Sequence, residues 1–258
     1  MAGKHVLFMH GLFMTHRCWD GWVNRFQTAG YTTQAVAYPG RDKSVEELRR
    51  AHPDANVGKL TFDSVLAHYT KAIQAMSDQP VLVGHSLGGL LVQVLLNRGL
   101  GAVGVAIHSG PPQGLLSLKP SFFRANWPAL NPFSPSPYMM PFSAFQYAFV
   151  NGMPEAEQRA IYDQHVPPES LGIPRGVLSS PAAKIDYSKD HAPLLMLAGS
   201  NDHIIPASLN QTNFARYKAS LSITAYKQFA GRNHCGFVSK GWDEYADYVL
   251  QWLENPRA

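Results

Sequence analysis

Short apolar or β-branched runs alternate along this chain with longer stretches whose apolar residues recur at helical spacing. Val6–Met9 is the first short run and predicts a buried strand. Cys18–Ala29 follows as a helix, with Trp19, Trp22, Val23 and Phe26 on one face and Gly30 at its end. Tyr31–Tyr38 alternates as a strand and stops at Pro39-Gly40. Ser44 with Glu47 three residues on is a capping box for a short helix. His52 to Leu60 reads as a loop. Thr61 then caps a helix striped by Phe62, Val65, Leu66, Tyr69, Ile73 and Met76. Pro80–Gly84 is a further buried strand. Leu87–Arg98 is apolar on nearly all sides, which predicts a buried helix, and Gly99 closes it. Val103–Ile107 is the fourth strand.

The rhythm breaks from about Pro111 to Asp190. Thirteen of the nineteen prolines lie there, so short helices joined by loops are expected rather than strands. Nine aromatics crowd its first half: Phe122, Phe123, Trp127, Phe133, Tyr138, Phe142, Phe145, Tyr147 and Phe149. Alternation then resumes with a strand at Pro193–Ala198, a helix at Ala207–Lys218, a strand at Ser222–Phe229 and a last helix at Gly241–Leu253. Strands separated by helices predict an α/β fold, a doubly wound and mostly parallel sheet with helices on both faces. Residues 1–110 and 191–258 then form the core, and 111–190 is an insertion into it.

Composition narrows the function classes. The 258 residues suffice for one large domain, and 45% hydrophobic with 16% charged residues is globular. The formal charge of +4 comes without basic runs, which speaks against a nucleic-acid surface. Cys18 and Cys235 are the only cysteines and read as two buried thiols. The apolar run after Met1 is too short for a signal peptide, and no run reaches transmembrane length. A cytoplasmic location is the expectation. Gly99-Leu-Gly101-Ala-Val-Gly104 matches a dinucleotide fingerprint by letters, but it follows a helix and enters a strand, the reverse of what that site requires. The histidines show no metal-ligand spacing.

Chemistry concentrates where strands end. Gly84-His85-Ser86-Leu87-Gly88 sits between a strand and a helix. A serine on so sharp a turn is pushed into the open, and the Leu87 amide at the helix start faces the place where an oxyanion would form. A serine hydroxyl needs a general base, and that base needs a partner to fix its tautomer. Gly199-Ser-Asn-Asp202 follows the strand at 193–198, and Gly231-Arg-Asn-His234 follows the strand at 222–229. Asp190 precedes its strand, at the opposite sheet edge. His203 adjoins the acid too closely to reach between it and Ser86. His85 should point away from the hydroxyl, and His108 reads as a core histidine or a residue lining the site.

With these motifs the chain resembles the α/β-hydrolases over nearly its whole length. The order Ser86, Asp202, His234 is that family's order of nucleophile, acid and base, and His10-Gly11 resembles its His-Gly oxyanion motif. The resemblance implies a helical cap at 111–190, a Ser86–His234–Asp202 triad, and oxyanion donors at Leu87 and at Leu12, with Phe13 as the alternative to Leu12. It implies acyl transfer to water without metal or cofactor, and the aromatics of 111–190 imply an apolar pocket wall, hence small to medium apolar esters as substrates. Phe13, Trp127 and Phe142 are the expected substrate contacts. Hydroxynitrile-lyase chemistry, thioester, lactone or carbon–carbon bond cleavage, and a slowly turning ligand receptor are the alternatives such a triad leaves open.

Overall fold

Successive side chains of a strand leave for opposite faces, so an apolar run without polar alternation must be covered on both sides. The computed structural model, which describes residues 4–257, shows this directly. Its elements run β1 (His5–Met9), α1 (Asp20–Thr28), β2 (Thr32–Val36), α2 (Val45–Arg50), α3 (Ala55–Gly58), α4 (Phe62–Gln74), β3 (Val81–His85), α5 (Leu87–Asn97) and β4 (Val103–Ile107). They continue with α6 (Pro120–Leu130), α7 (Phe142–Ala148), α8 (Glu155–His165), α9 (Gly172–Ser179), β5 (Leu194–Gly199), α10 (Ala207–Arg216), β6 (Thr224–Phe229) and α11 (Asp243–Glu254). The six strands form one sheet in the order β2-β1-β3-β4-β5-β6, and every neighbouring pair is parallel.

Val6, Phe8, Val81 and Val83 face a core shared with Trp22 and Phe26 of α1 and Val249 of α11. Their neighbours Leu7, Met9 and Leu82 face a second core with Phe62, Leu66 and Tyr69 of α4 and Leu91 and Leu95 of α5. The sheet is therefore covered on both faces. α5 is buried from Leu87 to Leu96, as its all-round apolar sequence requires.

Helix starts follow the local chemistry. Ser44 and Glu47 cap α2 reciprocally, and Thr61 and Ser64 do the same for α4. The stretch from His52 to Leu60 departs from the expected loop, because the Asp54 side chain accepts the Asn56 amide at 2.8 Å and turns residues 55–58 into α3. Between β4 and β5 the proline-rich stretch breaks into α6, α7, α8 and α9 and contributes no strand to the sheet. Cys18 and Cys235 are free and buried, and burial raises both thiol pKa values. Among the described residues no helix is long and apolar enough to cross a membrane.

The strand order places the site. β2 pairs on one side of β1 and β3 on the other, so winding reverses between β1 and β3. A crevice opens beyond the C-terminal ends of strands at such a point. His10-Gly11-Leu12 leaves β1 there and Ser86 leaves β3 there.

Candidate active site

Ser86 links β3 to α5 with φ 57° and ψ −116°, a conformation that costs a non-glycine residue about 1–3 kcal/mol. The surroundings fix it there. Its amide donates to Ile107 O at 2.9 Å, and its carbonyl accepts from Gly110 N at 2.8 Å and from Leu90 N at 3.2 Å. A Cβ on Gly11 would lie 2.6 Å from Ser86 Cβ, so only glycine lets the loop after β1 come this close. A Cβ on Gly88 would lie 2.1 Å from Met9 O, and its absence lets α5 start directly against the end of β1.

Asp202, after β5, collects four donors. Its Oδ1 accepts the amides of Ile204 at 3.0 Å and Ile205 at 2.8 Å. Its Oδ2 accepts Nδ1–H of His234 at 2.6 Å and of His108 at 2.9 Å. Burial alone would raise the Asp202 carboxyl, but attraction to His234 and the hydrogen bonds from both histidines bring its pKa down to about 2. Burial lowers the His108 pKa, and the neutral ring accepts at Nε2 from the Tyr245 hydroxyl at 3.0 Å. The donor atoms of His108, Asp202 and His234 lie within 4.8 Å of one another, and both histidine Nδ1 atoms are spent on the carboxylate.

His234, after β6, is buried, and its Nε2 has no hydrogen-bond partner among the described residues. No hydrogen bond joins it to Ser86. An unpaired polar atom so deeply buried calls for a functional explanation. His85 binds the same loop from the motif side: its Nε2 lies 2.9 Å from His234 O, and its ring stacks on Phe237 at 3.8 Å. Burial holds His85 neutral, so Nε2–H donates to that carbonyl. His203 and His191 lie elsewhere, paired with the carbonyls of Tyr147 and Ala192, and Asp190 meets Ser220 on the surface.

The loop after β1 is held peptide by peptide. Burial brings the His10 pKa down to about 3, and the neutral ring accepts from Tyr38 N at 3.3 Å while Nδ1–H donates to Gly11 O at 2.8 Å. Gly11 C=O and Leu12 N–H belong to one planar unit, so fixing the carbonyl aims the Leu12 amide the opposite way. Among the described residues the Leu12 amide has no acceptor. The next amide is engaged. Phe13, at φ 58°, donates to Glu169 Oε2 at 3.2 Å, which leaves Leu12 as the free donor of the two. Leu87, first in α5, has no acceptor within its own helix.

A cavity of about 540 Å³ opens at Ser86. Leu12, Phe13 and Leu87 line it with Ser86, as do Phe122, Met140 and Phe149. None of its described lining residues is charged. Two expected substrate contacts are corrected. Trp127 is 61% exposed on the outside of α6 and is not part of the wall. Phe142 packs on Tyr162 at 5.2 Å beneath Arg159, also outside it. Phe122 and Ala125 of α6 hold the inward positions instead.

Three residues that no sequence pattern singled out support this geometry. Arg41 and Glu169 form a fully buried ion pair, Nη1 to Oε1 at 2.6 Å, and Glu169 carries the Phe13 amide on its other oxygen. Tyr245 supports His108. The one legible signal was His108 itself, at a strand end beside the site.

With the fold and the site in view, comparison places the chain. A model of the alpha/beta hydrolase family matches residues 6–248, and the chain belongs to that family. A rice protein (Oryza sativa subsp. indica) named "Probable esterase PIR7A" is 32% identical over 103 residues, 38% of this chain and 35% of that protein. The match thus spans about a third of the curated relative's length. Among solved structures, a monoacylglycerol lipase from Paleococcus ferrophilus superposes with a TM-score of 0.70 at 21% identity, covering 96% of this chain and 93% of that one. An extracellular α/β-hydrolase from a Paenibacillus species gives 0.69 at 19% identity, over 96% and 98%. At these identities the structural likeness speaks for the fold.

Proposed function

We propose that this chain is a serine hydrolase of small to medium apolar carboxylic esters, working through an acyl-enzyme. The observation that carries the reading is the buried His234: its Nδ1–H is bound to an ionised Asp202, while its Nε2 is unpaired at the sheet edge where the strained Ser86 opens into an apolar cavity.

Ser86 Oγ attacks the ester carbonyl as His234 Nε2 takes its proton. Asp202 holds the Nδ1–H tautomer and stabilises the imidazolium that forms. The Leu12 and Leu87 amides donate to the oxyanion. The tetrahedral adduct collapses, His234 returns the proton to the departing alcohol, and the acyl group stays on Ser86. Water, deprotonated by His234, then attacks the acyl carbonyl, and the acid leaves as Ser86 regains its proton. This chemistry calls for no metal or cofactor. An uncharged wall favours ester over lyase chemistry, because a departing carbanion or cyanide would need a cation beside it. The likeness to a probable esterase of rice and to a monoacylglycerol lipase points the same way. The segment 111–190 acts as the cap, since α6 supplies residues to the wall of the cavity that Ser86 also lines. A cytoplasmic setting fits two reduced, buried thiols.

A panel of esters of increasing acyl length tests the reading. Each methylene buried is worth about 0.8 kcal/mol, so kcat/KM should rise a few-fold per carbon until the cavity is full and then fall. Phe122→Ala should move the optimum to longer chains, and Phe142→Ala should leave it in place. Absence of turnover across the panel would remove the proposal.

A further inference from the structure

Among the described residues, large exposed apolar side chains are concentrated in one stretch of the chain. Eight are exposed, and five of them, Leu116, Leu118, Phe123, Trp127 and Phe133, fall between positions 116 and 133. Leu118 is 89% exposed and Phe133 92%, so no core reading accounts for them. α6 is apolar on both sides. Phe122 and Ala125 face inward to the cavity, while Phe123 and Trp127, four residues apart and so on one face, look outward. Leu116 and Leu178 are exposed and also line the cavity, so its mouth carries exposed apolar side chains of its own.

The charge pattern of the same stretch is one-sided. From residue 79 to residue 154 there is no aspartate or glutamate. The cations beside the patch are the exposed Lys119 and Arg124, the latter lying 3.8 Å from the Tyr147 ring centroid. Leu, Phe and Trp interleaved with Lys and Arg, without acids, is the composition of a segment that lies in a lipid–water interface. A second copy of this chain fits less well. A two-fold dimer through this face would bring the Lys119 and Arg124 cations of both copies into one interface, with no carboxylate in the segment to pair them.

We propose that the outer face of α6 and its flanking loops docks on an anionic phospholipid surface, turning the cavity mouth toward the lipid. Leu118, Phe123, Trp127 and Phe133 enter the interfacial layer, and Lys119 and Arg124 meet the headgroups. An apolar ester dissolved in the bilayer then reaches the mouth past Leu116 and Leu178 without crossing water. That delivery rests on the ester-hydrolase reading, whereas the docking does not.

The test is sedimentation of the full chain with vesicles of phosphatidylcholine and phosphatidylserine, and with vesicles of phosphatidylcholine alone. Wild type should bind the mixed vesicles, and should bind them less at high salt. Leu118→Ser/Phe123→Ser/Phe133→Ser should weaken binding by about tenfold or more. Lys119→Glu should weaken it about fivefold or more on mixed vesicles and little on phosphatidylcholine. None of these side chains lines the cavity, so both variants should keep wild-type turnover of a short water-soluble ester. The triple variant should lose turnover of an ester dissolved in the vesicles in proportion to lost binding. Trp127 emission should be quenched by lipids brominated in their acyl chains. Wild type that stays in the supernatant, or a triple variant that binds as well as wild type, overturns the proposal. So does a wild-type dimer that the triple variant dissolves with no vesicle binding by either. Vesicle binding by a wild type that turns over no ester would support docking and remove the ester reading alone.

Discussion

Glu169→Gln tests whether a buried ion pair that does not itself bind the serine sets the oxyanion geometry. Glu169 accepts Arg41 Nη1 at 2.6 Å and Ser170 N at 3.0 Å on one oxygen, and Phe13 N at 3.2 Å on the other. Both side chains of the pair are buried, and among the described residues Arg41 Nε and Nη2 have no other partner. Glutamine keeps the volume and one acceptor but strands the guanidinium. Breaking a buried pair from one side costs about 3–5 kcal/mol. In a domain of this size that lowers Tm by about 6–20 °C, at about 2–4 °C per kcal/mol. The Leu12–Phe13 peptide also loses its charged anchor, and the Leu12 amide lies one peptide before it. Outright loss of an oxyanion donor costs about 10²–10³ in kcat. A displaced donor should cost less, about ten- to a hundredfold, with KM little changed. The companion variant Arg41→Met/Glu169→Leu separates the two effects. Replacing both members of a buried pair by apolar residues is often close to neutral, so stability should largely return. The Phe13 amide would still lack an acceptor, so kcat should stay low. The assays are urea unfolding and kcat per active site titrated with a fluorophosphonate. Recovery of both quantities in the double variant would refute the argument and reduce the pair to a stabilising contact.

Other expectations follow from the same network. Asp202→Asn should lower kcat by orders of magnitude, roughly 10⁴-fold where a triad loses its tautomer control, while Asp190→Asn should leave the rate near wild type. The reverse ranking would move the acid elsewhere. Acid should destabilise the fold in two windows. His10, lowered to about 3, and His165, lowered to about 4, are buried neutral, so the unfolded chain binds more protons below about pH 6.5. Each therefore removes about 1.4 kcal/mol per pH unit as pH falls from there toward its folded pKa. Asp202, lowered from 3.8 to about 2, stabilises above the unfolded value and loses that contribution as pH falls through the folded one, about 2 kcal/mol in all. Urea unfolding from pH 7 to 4 should thus show a slope that His165→Leu reduces and Asp202→Asn does not.

The sheet was legible because its strands are short, continuous apolar runs, and nothing but burial on both faces suits Val81-Leu82-Val83 or Leu194-Leu195-Met196-Leu197. The positions of Ser86, Asp202 and His234 were legible for a related reason. Each lies just past the C-terminal end of a strand, and a parallel sheet carries all such ends to one edge. Arg41 and Glu169 were not legible. They meet across 128 residues of chain, and neither periodicity nor local spacing announces a pairing at that range. The aromatics of 111–190 misled for a physical reason. α6 carries apolar residues inside and out, so the usual contrast that tells a buried face from a wet one is missing, and Trp127 was assigned to the wall that Phe122 occupies. α3 escaped notice because a single turn has too few residues for a hydrophobic stripe, and only its Asp54 cap marks it.

The central claim is that Ser86 is the nucleophile that His234 and Asp202 serve. Its most direct measurement is intact-mass analysis after exposure to a fluorophosphonate. Wild type should gain one adduct, mapped to Ser86, with ester turnover lost in step. Ser86→Ala should take up no label and hydrolyse no ester while unfolding at the wild-type temperature. A single adduct that persists in Ser86→Ala, or turnover that survives it, would contradict the account.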